Sequence, residues 1–198
     1  MEFAPKISNE ELYSLPLFEF TGDIVVIDNT KNISKYIDDI LCEKYLGFDT
    51  ETKPWFKKGK SNNYQVSLLQ FSTAKSTYLF RLNKIKLPKE IISCFSSEEN
   101  LKIGLSTKDD LRALQKLETF EARGFLELQD YVKNFGIEDM SLRKIAAIVL
   151  GVRISKSQQL SNWEASRLTE KQIKYAATDA WICRRIYLKL KELQNDNT

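Results

Sequence analysis

The chain has 198 residues, enough for one domain with a full hydrophobic core, and at 42% hydrophobic and 29% charged it has the composition of an ordinary soluble globular protein. A net charge of +3 tolerates a polyanionic partner without arguing for one, so any nucleic-acid reading has to come from a site. The sharpest exclusion is the count of zero histidines, which removes Ser-His-acid triads, histidine-activated cysteine nucleophiles and histidine-ligated metals.

Residues 1–22 contain Pro5 and Pro16 and no sustained period, which predicts an arm laid over the domain. The β-branched run 24–27 predicts a strand. Asn29 or Thr30 caps a helix through about Cys42, with Ile33, Ile37, Ile40 and Leu41 on its apolar face. A strand over 45–49 follows, Pro54 ends it, and Lys57, Lys58 and Lys60 make the next loop basic. Segments 64–72 and 77–82 read as two further strands, close enough to form a hairpin or meander with it.

Pro88 starts a short helix to about Phe95, and 101–105 is the next strand. Thr107 caps a helix carrying Leu111, Leu114 and Leu117. A fifth core strand at 125–128 precedes a helix opened by Asp130. Beyond Ser141 the pattern is helical: a helix over 141–150, a loop with Gly151 and 156–163, and a long helix over 169–193. Thr169 and Gln172 at the start of that helix have the spacing of a capping box. Strands in a meander, then strand and helix alternating, then helices, predict the α/β class: a mixed five-stranded sheet covered by helices.

Cys42, Cys94 and Cys183 lack metal-ligand spacing and read as free, buried thiols of a reducing compartment. Residues 1–10 lack a leader pattern and the longest apolar run, Ile145 to Leu150, is too short to span a bilayer. The expectation is a cytoplasmic chain with no membrane association.

Chemistry concentrates at three places. Asp49 and Glu51 lie two apart at the end of a strand, so both point to one face and repel each other. A buried hydrogen-bond network or divalent cations on hard oxygens would hold them there. Asp109 and Asp110 sit in the first turn of a helix, where the macrodipole favours acids whatever their function. Tyr175 and Asp179, four apart, share a helix face, and Ala176, Ala177 and Ala180 let that helix approach a sheet closely.

In this order and spacing, Asp49-x-Glu51, an aspartate at a strand-to-helix turn and Tyr175-x-x-x-Asp179 resemble the three exonuclease motifs of the DEDD superfamily, in its tyrosine-bearing ribonuclease D and Werner-exonuclease-like branch. Residues 64–71 resemble that family's second strand. Ser141-Leu142, Lys156, Gln159, Ser161, Trp163, Leu168-Thr169 and Gln172 are similar to its segment before the third motif, though Arg167-Leu168 lacks a proline often found there. The resemblance covers roughly residues 23–190. Either Asp109 or Asp110 fits the second motif, and Asp-Leu-x-x-Leu at 110–114 matches the pattern better.

The resemblance implies a ribonuclease H-like fold, with an arm over 1–22, an exonuclease domain over 23–194 and a tail over 195–198. It also implies release of 5′-mononucleotides from the 3′ end of DNA or RNA by a two-metal mechanism with Mg²⁺ or Mn²⁺. Asp49 then bridges both ions, Glu51 and Asp179 complete the more buried site, Asp110 reaches the outer ion largely through water, and Tyr175 orients the attacking water. Thr50, Thr52 and Trp55 are the substrate contacts implied, the Thr52 N–H meeting the terminal 3′-hydroxyl and Trp55 stacking on a base. Lys57, Lys58 and Lys60 are candidates for steering the strand's backbone. A catalytically silent nucleic-acid-binding module is the competing expectation, but every ligand position carries its carboxylate.

Overall fold

Every residue of Val66–Ser72 is buried, so this strand has to lie inside a sheet covered on both faces. The computed structural model, which describes residues 3–31, 33–54 and 65–196, places it there. The strands are β1 (Asp23–Ile27), β2 (Tyr45–Thr52), β3 (Val66–Ser72), β4 (Ser76–Phe80), β5 (Leu101–Gly104) and β6 (Phe125–Glu127), in the spatial order β1-β4-β3-β2-β5-β6. β2, β3 and β4 form the expected antiparallel meander, while β1, β5 and β6 pair in parallel with their neighbours. The sheet therefore has six strands rather than five: β1, which buries only Ile27, still pairs along its whole length with β4.

Alternation along β2 assigns the two layers. Leu46 and Phe48 face a core with Phe71, Phe80 and Phe95, which α2 (Ile33–Leu41), α4 (Lys89–Phe95) and α5 (Thr107–Gln115) cover. The odd-numbered residues of β2 face α8 (Glu170–Asp196), which with α7 (Leu142–Leu150) buries Ile103, Ile145, Ile182 and Ile186. Ala176, Ala177 and Ala180 are completely buried, as close packing requires. A Cβ on Gly47 would lie 1.9 Å from the Ala180 carbonyl oxygen, so only glycine fits at that crossing.

Several boundaries move for identifiable reasons. β2 continues to Thr52, beyond the predicted end at 49, and β4 stops at Phe80, where Arg81 leads into a short helix, α3 (Leu82–Ile85). The predicted Thr107 cap lies inside α5. Its N-cap is Ser106, in the left-handed region, and the Glu127 carboxylate accepts from the Ser106 and Thr107 N–H groups and the Thr107 hydroxyl. In place of a helix opened at Asp130 there is α6 (Leu128–Tyr131) followed by a 3₁₀ turn over Val132–Phe135. Leu41 is 40% exposed at the end of α2, off its apolar face, and Cys42 is an exposed free cysteine, whereas Cys94 and Cys183 are free and buried.

The arm contains a helix, α1 (Asn9–Ser14), whose Ser8 and Glu11 form a reciprocal capping box. Leu12 is buried, Phe18 stacks on Trp181 at 5.1 Å, and the Phe20 N–H donates to Thr178 Oγ1 at 3.0 Å. Among the described residues no helix is long and apolar enough to cross a membrane.

Candidate active site

Asp49 and Glu51 project from the α8 side of β2. Just past them the pairing slips, with Glu51 opposite Leu68 but Thr52 opposite Val66, and a bulge of this kind bends a strand end and re-aims its side chains. The Gly47–Ala180 crossing then sets Asp179 directly over the pair. Carboxylate oxygens of Asp49, Glu51 and Asp179 all lie within 4.8 Å of one another. Tyr175, one turn earlier on α8, is half-buried with its ring tilted against Trp163 at 6.1 Å. A capping box between Thr169 and Gln172 fixes the start of α8, and the Gln172 amide also donates to Ser161 Oγ at 2.7 Å.

Burial is the largest cause of the electrostatics here, followed by mutual repulsion. Glu51 is pushed up to about 10 by desolvation and then by Asp49, Asp179 and Asp110. Asp49 is raised well above the carboxylate range by burial and by Asp179. Asp179 is raised by burial to about 7, with a hydrogen bond from Tyr175 opposing the shift. The Tyr175 hydroxyl is raised by burial, then by Asp179 and Glu51. Among the described residues no lysine or arginine pairs with any of the three acids. Gln70, the cross-strand partner of Asp49, is fully buried with neither amide atom hydrogen-bonded among the described residues.

Asp110 stands to one side. Its Oδ1 accepts a 2.5 Å hydrogen bond from Thr50 Oγ1, reached from the opposite face of β2, and it is raised to about 8 by burial and then by Asp49. Asp109 points away, exposed and paired with Arg112 at 3.2 Å. The structure thus brings Asp49, Glu51, Asp179 and Tyr175 together, sets Asp110 within electrostatic reach, and leaves Asp109 out. Thr50 is occupied with Asp110, and Thr52 is half-buried at the strand end. Trp55, Lys57, Lys58 and Lys60 lie outside the described residues.

The acids open into a cleft of about 460 Å³. Asn9 and Leu12 of α1, Arg143 and Lys144 of α7, and Ser155 form walls that the motif-based reading did not include. The only signal for α1 was its Ser8-x-x-Glu11 capping pattern. Arg81 holds the loop that carries Trp163, donating to the carbonyls of Trp163, Ala165 and Ser166 at 3.4, 2.5 and 3.2 Å.

The site is thus a carboxylate cluster on a mixed sheet, with a tyrosine one helical turn before the third acid. The family model described as 3′-5′ exonuclease matches residues 24–194. The chain belongs to the 3′-5′ exonuclease family. It is 32% identical over 189 residues to the mouse bifunctional 3′-5′ exonuclease/ATP-dependent helicase WRN, covering 91% of this chain and 13% of that protein. It is 33% identical over 156 residues to the Drosophila melanogaster exonuclease 3′-5′ domain-containing protein 2, covering 76% of this chain and 26% of that one. The chain spans about a quarter or less of these relatives' length.

Among solved structures, the Aedes aegypti Nibbler EXO domain has a TM-score of 0.79 at 22% identity, covering 91% of this chain and 94% of that one. Escherichia coli RNase D has a TM-score of 0.75 at 19% identity, covering 85% of this chain and 44% of that one. The six-stranded mixed sheet flanked by helices is thus the ribonuclease H-like fold of exonuclease domains. In this exonuclease-family chain the acid cluster sits near the ends of β2 and β5, where α8 crosses the sheet.

Proposed function

We propose that the chain hydrolyses the terminal phosphodiester at the 3′ end of a DNA or RNA strand and releases 5′-mononucleotides. Asp49, Glu51, Asp110 and Asp179 would hold two divalent metal ions, Mg²⁺ or Mn²⁺. The observation that carries this reading is the approach of three carboxylates within 4.8 Å, with no lysine or arginine ion-paired to them among the described residues. Acids so buried and crowded are mutually destabilising as anions, and a donor set of hard oxygens without sulfur or imidazole fits Mg²⁺ or Mn²⁺. Bound there, such cations would supply Lewis-acid stabilisation of phosphate charge and lower the pKa of an attacking water.

The chain's own residues position the reaction. Asp49, close to Glu51 and Asp179 and within electrostatic reach of Asp110, would serve both ions. Thr50 aims the Asp110 carboxylate by its hydrogen bond, and the Tyr175 hydroxyl orients the attacking water. The Thr52 N–H receives the terminal 3′-hydroxyl, and Trp55 stacks on the terminal base. The exonuclease domain is taken as 23–194, with 1–22 an arm and 195–198 a tail, working in the cytoplasm with its cysteines free. The test is a panel of 5′-labelled single-stranded DNA, recessed duplex DNA and RNA in Mg²⁺ and in Mn²⁺. Stepwise shortening from the 3′ end is expected. Internal cuts, or shortening that persists in EDTA, would overturn the reading.

A further inference from the structure

An exposed tyrosine on a short helix is ordinary in itself. Tyr13 differs in where it stands. Asn9, Leu12 and Tyr13 are spaced to share one face of α1, and the first two line the cleft that holds Asp49, Glu51 and Asp179. Tyr13 lies one position further round that face, at the rim, 63% exposed. Beneath it is Arg143 of α7, another wall of the same cleft, with its guanidinium carbon 5.5 Å from the Tyr13 ring centroid. Arg143 Nε is buried and has no hydrogen-bond partner among the described residues. The neighbouring Lys144, by contrast, is already paired with Asp139 at 3.0 Å.

The pair therefore offers an aromatic face backed by a cation on one side and open on the other. Aromatic rings that stack bases beside cations that meet phosphates are how proteins hold single-stranded nucleic acid without reading sequence. The helix presenting the ring is fixed: its capping box is complete, the Leu15 carbonyl accepts from Arg153 Nε at 3.0 Å, and Phe18 stacks on Trp181. A strand whose 3′ end lies at the acids has to leave over the rim with its 5′-ward nucleotides.

We infer that Tyr13 and Arg143 form a nucleotide subsite at the cleft rim, Tyr13 stacking a base 5′ to the scissile bond and Arg143 meeting the adjacent phosphate. The arm is then part of the substrate-binding surface and not only a cover. This inference rests on the exonuclease reading above for the direction of the strand.

The test compares an eight-nucleotide single strand with a dinucleotide too short to reach beyond the cleft, measuring binding in Ca²⁺ by fluorescence anisotropy and turnover in Mn²⁺. Tyr13→Ala should raise Kd and KM for the octamer about fivefold or more, leave kcat within about twofold, and leave the dinucleotide unchanged. Tyr13→Trp should restore octamer binding, and Arg143→Gln should weaken it and flatten its salt dependence. Octamer affinity equal in Tyr13→Ala and wild type would overturn the subsite, as would an equal loss on octamer and dinucleotide, which would mark mere packing of the arm. Failure of wild type to shorten either substrate would sink the exonuclease reading instead, and the Ca²⁺ binding series would still decide on Tyr13.

Discussion

Replacing Gly47 by alanine changes one hydrogen to a methyl group and tests how the acids are brought together. The added Cβ would lie 1.9 Å from the Ala180 carbonyl oxygen and 2.7 Å from its carbonyl carbon, with Ser72 Cβ at 3.3 Å on the other side. The two Ala180 atoms are backbone in the middle of a 27-residue helix, so no side chain can rotate away from the clash. Ordinary contact begins near 3.4 Å, so α8 has to retreat from β2 by about 1.5 Å or the strand has to bend. Overpacking of this kind costs about 3 kcal/mol at the upper end of the usual range, a drop in Tm of about 6–12 °C for a chain of this size. Asp179 adjoins Ala180 and moves with it, by far more than the ~0.2 Å tolerance of a metal site. Thermal unfolding followed by circular dichroism, with Mn²⁺ titration of the same sample, should show both losses. Ala180→Gly in the same background should not rescue them, because the clash is with the carbonyl. Unchanged Tm and unchanged Mn²⁺ affinity in Gly47→Ala would refute the idea that this crossing sets the site.

In the metal-free protein, Asp179 at about 7, Asp110 at about 8 and Glu51 at about 10 hold protons that the unfolded chain releases near pH 4. Stability should therefore fall as pH rises from about 5 to 8 in EDTA, and Mg²⁺ or Mn²⁺ should raise Tm more at pH 8 than at pH 5. A profile rising with pH in EDTA would contradict this. Asp110→Asn should cut turnover at least tenfold while Asp109→Asn, at an exposed position, stays within about twofold. The reverse order in a steady-state assay would exchange their roles. Arg81→Met leaves three carbonyls of the 163–166 segment without their donor and should cost about 3 kcal/mol in urea unfolding. It should lower kcat too, because Trp163 braces Tyr175, and a stability loss without a kcat change would disconnect that loop from the chemistry.

The elements most legible in the sequence are those whose pattern is set by burial. The strands expected at 24–27, 45–49 and 64–72 are announced by β-branched and apolar residues, and α8 shows small residues where it meets Gly47. The acids at 49 and 51 are readable because the period of a strand is two, and Tyr175 with Asp179 because a helix repeats near four. What escapes is decided across the chain. The cap of α5 comes from Glu127, on another strand, so no local residue announces it. α1 buries only Leu12, too little for an apolar period to show, and Tyr13 on it meets Arg143 of α7. The choice between Asp109 and Asp110 turns on which one faces Thr50, which depends on how α5 leaves β5 through the left-handed Ser106.

The most direct measurement follows Asp49, a member of the three-carboxylate cluster whose charge also reaches Asp110. Mn²⁺ titration and release of mononucleotides from a 5′-labelled single strand should be measured on wild type and on Asp49→Ala, with circular dichroism to verify the fold. Wild type should bind Mn²⁺ and shorten the strand from its 3′ end, and the folded variant should do neither. Metal-dependent release of mononucleotides by purified Asp49→Ala would contradict the carboxylate metal site at its centre.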